Sequence, residues 1–185
     1  MSEYGRRCAP VQTILLVDGY NMVGAWPSLQ RLRDRDSLEA ARGELIELLT
    51  NYSAFRGYRT VLVFDAQMVV SPLVWQVQPT GLEVCFTEHE QTADTFIEQY
   101  SYQLLRSQTG RVVVATSDRA QQLLILAQGA AWFSADHLRQ DVQLAYRQMR
   151  EQIRSASKRQ RAARRLVDSL DPKTVERLSK WQHRT

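Results

Sequence analysis

The stretch ILLVDGYNMVG, residues 14 to 24, sets the reading of the whole chain. Four apolar residues, Ile14, Leu15, Leu16 and Val17, run without a break into Asp18, and Gly19, Tyr20 and Asn21 follow at once. A short apolar run closed by Asp-Gly reads as a strand buried on both faces. An unpaired carboxylate is costly inside such a strand. At its tip the charge is tolerated, and in open α/β sheets the carboxyl tips of parallel strands are where ligands sit. The pattern returns twice: RTVLVFDA, residues 59 to 66, brings an apolar run to Asp65, and RVVVATSD, residues 111 to 118, brings another to Asp118.

Outward from these runs, strands alternate with helices. Ser37 is an N-cap for a helix that ends at Gly57, with Leu38, Ala41, Leu45, Leu48, Leu49 and Tyr52 on one face. LEVCFT, 82 to 87, is a third internal strand, and Thr92 caps a helix through QTADTFIEQYSYQLLRS. RAQQLLILAQG is a helix closed by Gly129, AAWFS a short fifth strand, and Ser134 the cap of a long last helix. Residues 25 to 36 read as a connection, and residues 67 to 81, with two prolines and Trp75, as a long loop. Five such alternations predict an α/β domain with a mostly parallel sheet and helices on both faces.

The chain has 185 residues and an apolar fraction of 44%, enough for one domain with a tail. No apolar run reaches the length of a membrane span, the N-terminus carries no secretory h-region, and Cys8 and Cys85 form no disulfide framework. A cytoplasmic protein is the expectation. Its charge is uneven: residues 150 to 185 hold 11 Lys+Arg against 4 Asp+Glu, and residues 1 to 149 hold 13 against 16. The expected organisation is therefore a domain over 13–150 and a basic helical extension over 151–185, with a short closing helix near 172 to 181. In the extension, Arg154, Lys158, Arg161 and Arg165 recur at helical spacing as one stripe, suited to an RNA backbone or simply to solvent.

In a parallel sheet Asp18, Asp65 and Asp118 share one edge. Asp94 opens the helix after the third strand and faces that edge, with Glu98 one turn on. Clustered carboxylates repel and raise each other's pKa, and a cation relieves them. Oxygen ligands without His or Cys suit Mg²⁺ or Mn²⁺, and such an ion on an acidic rim suits hydrolysis of a phosphodiester. Each residue also has a structural role open to it. Asp94 and Asp118 suit first helical turns, Asp65 and Asn21 suit turns, and Thr116 and Ser117 suit phosphate or a helix cap, with capping favoured for Ser117. Trp75 suits either a core gap or stacking on an unpaired base.

Taken together, LLVDGYNMVGAWP, VLVFDA, TEHEQTADTFIE and VVVATSDRAQQ resemble, in order and spacing, the YacP-like branch of the NYN domains, relatives of the PIN nucleases. The resemblance covers residues 13 to about 150. It implies a PIN-like three-layer α/β/α fold, a metal-dependent endoribonuclease and association with the ribosome. The family's acidic site falls on Asp18, Asn21, Asp94 and Asp118, with Asp65 close by. The chain departs from the family at Gln67, where relatives often carry a basic or histidine residue, and in its longer basic tail.

Two functions follow. The first is a nuclease on single-stranded RNA, with mRNA as the expected substrate: Asp18, Asp94 and Asp118 hold Mg²⁺ or Mn²⁺, Asn21 positions water or phosphate, and Asp65 and Glu98 support them. The second is a PIN-like module that binds RNA or the ribosome without cutting. A pure binder of a polyanion gains nothing from an acidic rim, which favours the enzyme. A dinucleotide-binding domain is a poor third, since DGYNMVG lacks the GxGxxG spacing and puts a repulsive aspartate where the pyrophosphate would sit. The oligomeric state is not legible.

Overall fold

The structure is a computed structural model that describes residues 12–65, 73–78, 81–108 and 110–169, with backbone alone at 163 and 165–169. Strand β1 (Thr13–Asp18) leads into helix α1 (Gly19–Ala25), and α2 (Pro27–Arg35) follows after a single residue. Helix α3 (Leu38–Arg56) starts where the Ser37 side chain accepts the Ala40 amide and stops at Gly57, whose φ of 71° places it in the left-handed region. Strand β2 (Arg59–Phe64), the short strands β3 (Val74–Val77) and β4 (Glu83–Phe86), and helix α4 (Ala93–Arg106) come next. Then follow β5 (Arg111–Ala115), α5 (Arg119–Gln128), β6 (Ala131–Phe133) and α6 (Ala135–Ser169).

The six strands make one sheet in the order β3-β4-β2-β1-β5-β6. All neighbours are parallel except β3 and β4, which are antiparallel. Alternation along the strands divides the core. Ile14, Leu16, Val61, Val63, Val112 and Val114 pack with Phe96, Ile97 and Leu104 of α4 and Ile125 of α5. The opposite face meets α1 and α3. There the Trp26 indole donates to the Ala135 carbonyl at 2.9 Å, and the Tyr52 hydroxyl to Asp141 at 2.6 Å, so the start of α6 joins that layer. This is the expected three-layer α/β/α arrangement.

Two expectations are corrected. Residues 25 to 36 are not a connection but largely α2, because Pro27 takes the first helical position, where its missing N–H is no loss. The same run of helix starts earlier still, at Gly19. The segment 67 to 81 is not all loop: Val74–Val77 form the edge strand β3, which carries Trp75. Residues 67–72 and 79–80 of that segment, and the closing helix expected near 172 to 181, lie outside the described residues. The last helix does continue, unbroken, into the basic stretch. Two compact units are distinguished, Met1–Ala145 and Tyr146–Thr185. Among the described residues no helix is long and apolar enough to cross a membrane.

Candidate active site

Parallel pairing fixes which end of each strand faces which. Asp18 stands opposite Val63, two residues before Asp65, and Val17 stands opposite Ala115, three before Asp118. The carboxylates therefore collect at one edge of the sheet, as expected. Asp18 is the N-cap of α1, its Oδ1 accepting the Asn21 amide at 2.9 Å. Gly19 must follow, since a methyl group there would overlap the buried Phe64 ring. Asp65 Oδ1 accepts the Ala93 amide at the start of α4, which ties the end of β2 to the turn that presents Asp94. Asp118 caps α5, its Oδ1 accepting the Ala120 amide at 2.7 Å and the Gln121 amide at 3.4 Å.

Asp18 is almost fully buried, and burial raises its carboxyl from 3.8 to about 6; the charges of Asp94 and Asp65 push the same way, against the Asn21 hydrogen bond. Asp94 is raised as well, by burial first and then by Asp118 and Asp65, while a side-chain hydrogen bond with Asp18 opposes the rise. Carboxyl groups that raise one another in this way are relieved by a shared proton or by a cation. Glu98, half-buried one turn further along α4, is not among the carboxylates that perturb either group.

The neighbouring polar residues divide differently from expectation. Ser117 does not cap α5; Asp118 does. The Ser117 amide and hydroxyl both donate to Asn21 Oδ1, the amide at 3.0 Å, which locks α1 to the loop after β5. Asn21 Oδ1 is thereby committed, and its Nδ2 group is the part left to meet a ligand. Thr116 is fully buried and its Oγ1 accepts the Asp118 amide at 3.1 Å, so it shapes the loop and is not open to phosphate. Trp75 lies on β3 with its ring centroid 5.9 Å from those of Phe96 and Tyr100, and is 38% exposed. Arg154, Lys158 and Arg161 are exposed on α6, whereas the side chain of Arg165 lies outside the described residues.

Beside Asp118 lies one residue that periodicity hid. Gln121, in the first turn of α5, is 6% exposed, and both atoms of its carboxamide lack a hydrogen-bond partner among the described residues. A buried orphan pair of this kind costs about 1–3 kcal/mol unless a water or ligand meets it. In sequence it was one of two adjacent glutamines; only the helix phase separates the buried one.

These features bear on whether a metal fits. Among the described residues no three His, Cys, Asp or Glu groups converge as a ready-made cage. Mg²⁺ does not require one, since it keeps several waters and is bound through one or two carboxylates. The carboxylates of Asp18, Asp65, Asp94 and Asp118 make a donor set of hard oxygens at one edge of the sheet. The residues fit a hard divalent ion.

Comparison with known proteins agrees with this fold. The family model described as the YacP-like NYN domain matches residues 15–183. The YacP protein of Bacillus subtilis (strain 168) is 37% identical over 169 residues, which are 91% of this chain and 96% of that protein. The crystal structure of Bacillus subtilis YacP matches with a TM-score of 0.67 at 34% identity, over 92% of this chain and 95% of that one. A point variant of the same protein matches with a TM-score of 0.67 at 32% identity, over 91% of this chain and 99% of that one.

Proposed function

The chain belongs to the YacP-like NYN domain family, which has a PIN-like nuclease fold, and on that premise we propose that it is a metal-dependent endoribonuclease. Its substrate in this reading is single-stranded RNA, mRNA at the ribosome, and its compartment the cytoplasm. The observation that carries the reading is the gathering of Asp18, Asp65, Asp94 and Asp118 at the carboxyl edge of the sheet, where neighbouring carboxylates push the Asp18 and Asp94 carboxyls up. A domain that only bound RNA would gain nothing from gathering carboxylates that oppose one another's ionisation.

Asp18 and Asp94 would hold Mg²⁺ or Mn²⁺, with Asp118 contributing the oxygen not engaged in capping α5. When bound, such an ion supplies an acidified water and offsets charge on the phosphoryl oxygens. The chain's own residues do the positioning. Ser117 fixes Asn21, whose Nδ2 group donates to a phosphate oxygen or to the attacking water. Asp65 holds the first turn of α4 and with it Asp94. Gln121 orders water behind Asp118. Trp75 and the stripe Arg154, Lys158 and Arg161 serve as RNA contacts that capture the strand.

The test is incubation of the purified full chain with a pool of single-stranded RNA in Mn²⁺, Mg²⁺ or EDTA, with ribosomes in a parallel arm. Ion-dependent fragments that vanish with Asp18→Asn are expected. RNA or ribosome binding with no cleavage in any arm would make the protein a PIN-like binding module instead.

A further inference from the structure

We propose that Arg42 is a phosphate anchor of this site, its guanidinium resting between Tyr20 and Phe86 and taking a non-bridging oxygen of the RNA backbone beside the carboxylates. The inference rests on the nuclease reading above and names a residue that brings the polyanion to an acidic rim.

Arg42 lies in the second turn of α3, and its contacts place it at the carboxyl edge of the sheet. Its Nη1 is 3.5 Å from the Tyr20 hydroxyl, two residues past Asp18. The same guanidinium lies over the Phe86 ring at 5.8 Å. Phe86 ends β4 and pairs in register with Phe64, the residue before Asp65. The rings continue as a stack: Phe64 is 5.7 Å from Phe86, and Tyr20 meets Phe64 edge-on at 5.1 Å. An arginine head is thus seated on aromatic groups that flank Asp18 and Asp65.

What marks Arg42 is its seat on the rings at this edge together with a free head. Arg33, Arg35, Arg56, Arg59 and Arg139 are each paired with a carboxylate. Arg42, half-buried on Tyr20 and Phe86, forms no ion pair among the described residues. Its one hydrogen bond is at the long limit, so nearly all of its five donors stay available. Cation–π contact fixes the head without consuming those donors and leaves its charge intact. A planar fork held at a site edge, already ordered and unpaired, is suited to a phosphodiester oxygen. The acidic rim repels the RNA backbone, and this cation opposes that repulsion where the chain must enter.

The experiment uses the full chain and a short fluorescently labelled single-stranded RNA, with binding read by anisotropy in EDTA over a series of salt concentrations. Arg42→Gln should weaken binding about tenfold, the size of a lost charge-assisted hydrogen bond, and lower the slope of log affinity on log salt by roughly 0.7. Arg42→Lys should keep the slope and recover only part of the affinity, since lysine keeps the charge without the fork. In Mn²⁺ the KM of Arg42→Gln should rise by the same factor. A folded Arg42→Gln with wild-type affinity and slope overturns the proposal. So does an Arg42→Lys variant with full wild-type affinity, should Arg42→Gln fail to fold. Wild-type protein that binds RNA with the expected Arg42 dependence but never cuts it would sink the nuclease reading alone. Cleavage by wild type with no effect at Arg42 would sink this one alone.

Discussion

At the end of β1 the Asp18 carboxylate accepts the Asn21 amide, which favours its charged form, while burial and two neighbouring carboxylates favour the neutral one and win. The sign of the resulting pH dependence follows. The folded-state value of about 6 lies above the unfolded value of 3.8, so the stability that Asp18 contributes is full below pH 3.8 and is lost as pH rises through 6. The difference corresponds to at most about 3 kcal/mol. Asn is as good an N-cap as Asp. Asp18→Asn should therefore keep the α1 cap, abolish cleavage, and leave the metal-free protein about 1–3 kcal/mol more stable at pH 7.5 than wild type. Urea melts at pH 4 and pH 7.5 check this: the gain should shrink at the lower pH, and a mutant destabilised at both would show Asp18 to be a purely structural cap. Gln121 supports a second residue-level prediction. Gln121→Met removes two orphan polar atoms at nearly constant volume, so it should raise metal-free stability by about 1 kcal/mol. The same change should reduce the extra thermal stability that Mn²⁺ confers. An unaltered melting temperature with and without Mn²⁺ would remove Gln121 from the site.

Among the elements, those with long uniform runs were legible and those held by distant partners were not. β1, β2 and β5 are unbroken apolar runs ended by a carboxylate or by a loop that leads to one, and capped α3 and α4 begin where Ser37 and Thr92 predict. Asp18, Asp65 and Asp118 could be read for the same reason, since they follow strand ends, and Asp94 could be read from the Thr92 cap of α4. β3 could not. Its VWQV is short and flanked by prolines, all four residues are exposed, and it exists as a strand only through antiparallel pairing to β4. α2 was hidden because Trp26 and Pro27 look like a break, whereas Trp26 is anchored by a carbonyl 109 residues away. Arg42 was not legible because it lies off the apolar face of α3, although a helix that returns to a parallel strand must start at the ligand-bearing edge. The placement of Trp75 carries its own prediction. Its ring packs on Phe96 and Tyr100 with about a third of its surface exposed. Trp75→Ala should cost about 2 kcal/mol, less than the about 3–5 kcal/mol of a fully buried aromatic. Trp75→Phe should recover most of that loss in denaturant melts. No loss for Trp75→Ala would mean that the ring contacts do not hold β3 to α4.

Across the whole molecule, charge is divided by position along the chain. The first 149 residues carry an excess of three acidic groups and the remaining 36 an excess of seven basic ones, and all three lysines lie in that second part. The acidic residues at the edge of the sheet suit chemistry on a phosphodiester but not its capture at a distance, because the backbone of RNA is repelled by the same carboxylates. Capture then falls to cations outside the rim. The exposed Arg154, Lys158 and Arg161 lie on α6 at steps of four and three, so they form one row along the helix surface. A row of cations on a continuous helix can meet successive phosphates, and each contact releases counterions. Replacing Arg154, Lys158 and Arg161 together with Gln should therefore reduce the slope of log affinity for single-stranded RNA on log salt by roughly 2, at about 0.7 for each contact. The loss of affinity should be greatest at low salt. All three side chains are exposed, so the substitutions should change stability by less than about 0.5 kcal/mol. Cleavage of a short RNA at saturating concentration should stay near the wild-type rate, because a capture role is satisfied once the RNA is bound. If the slope is unchanged in the triple variant, the row is a solvated helix face and capture lies elsewhere on the chain.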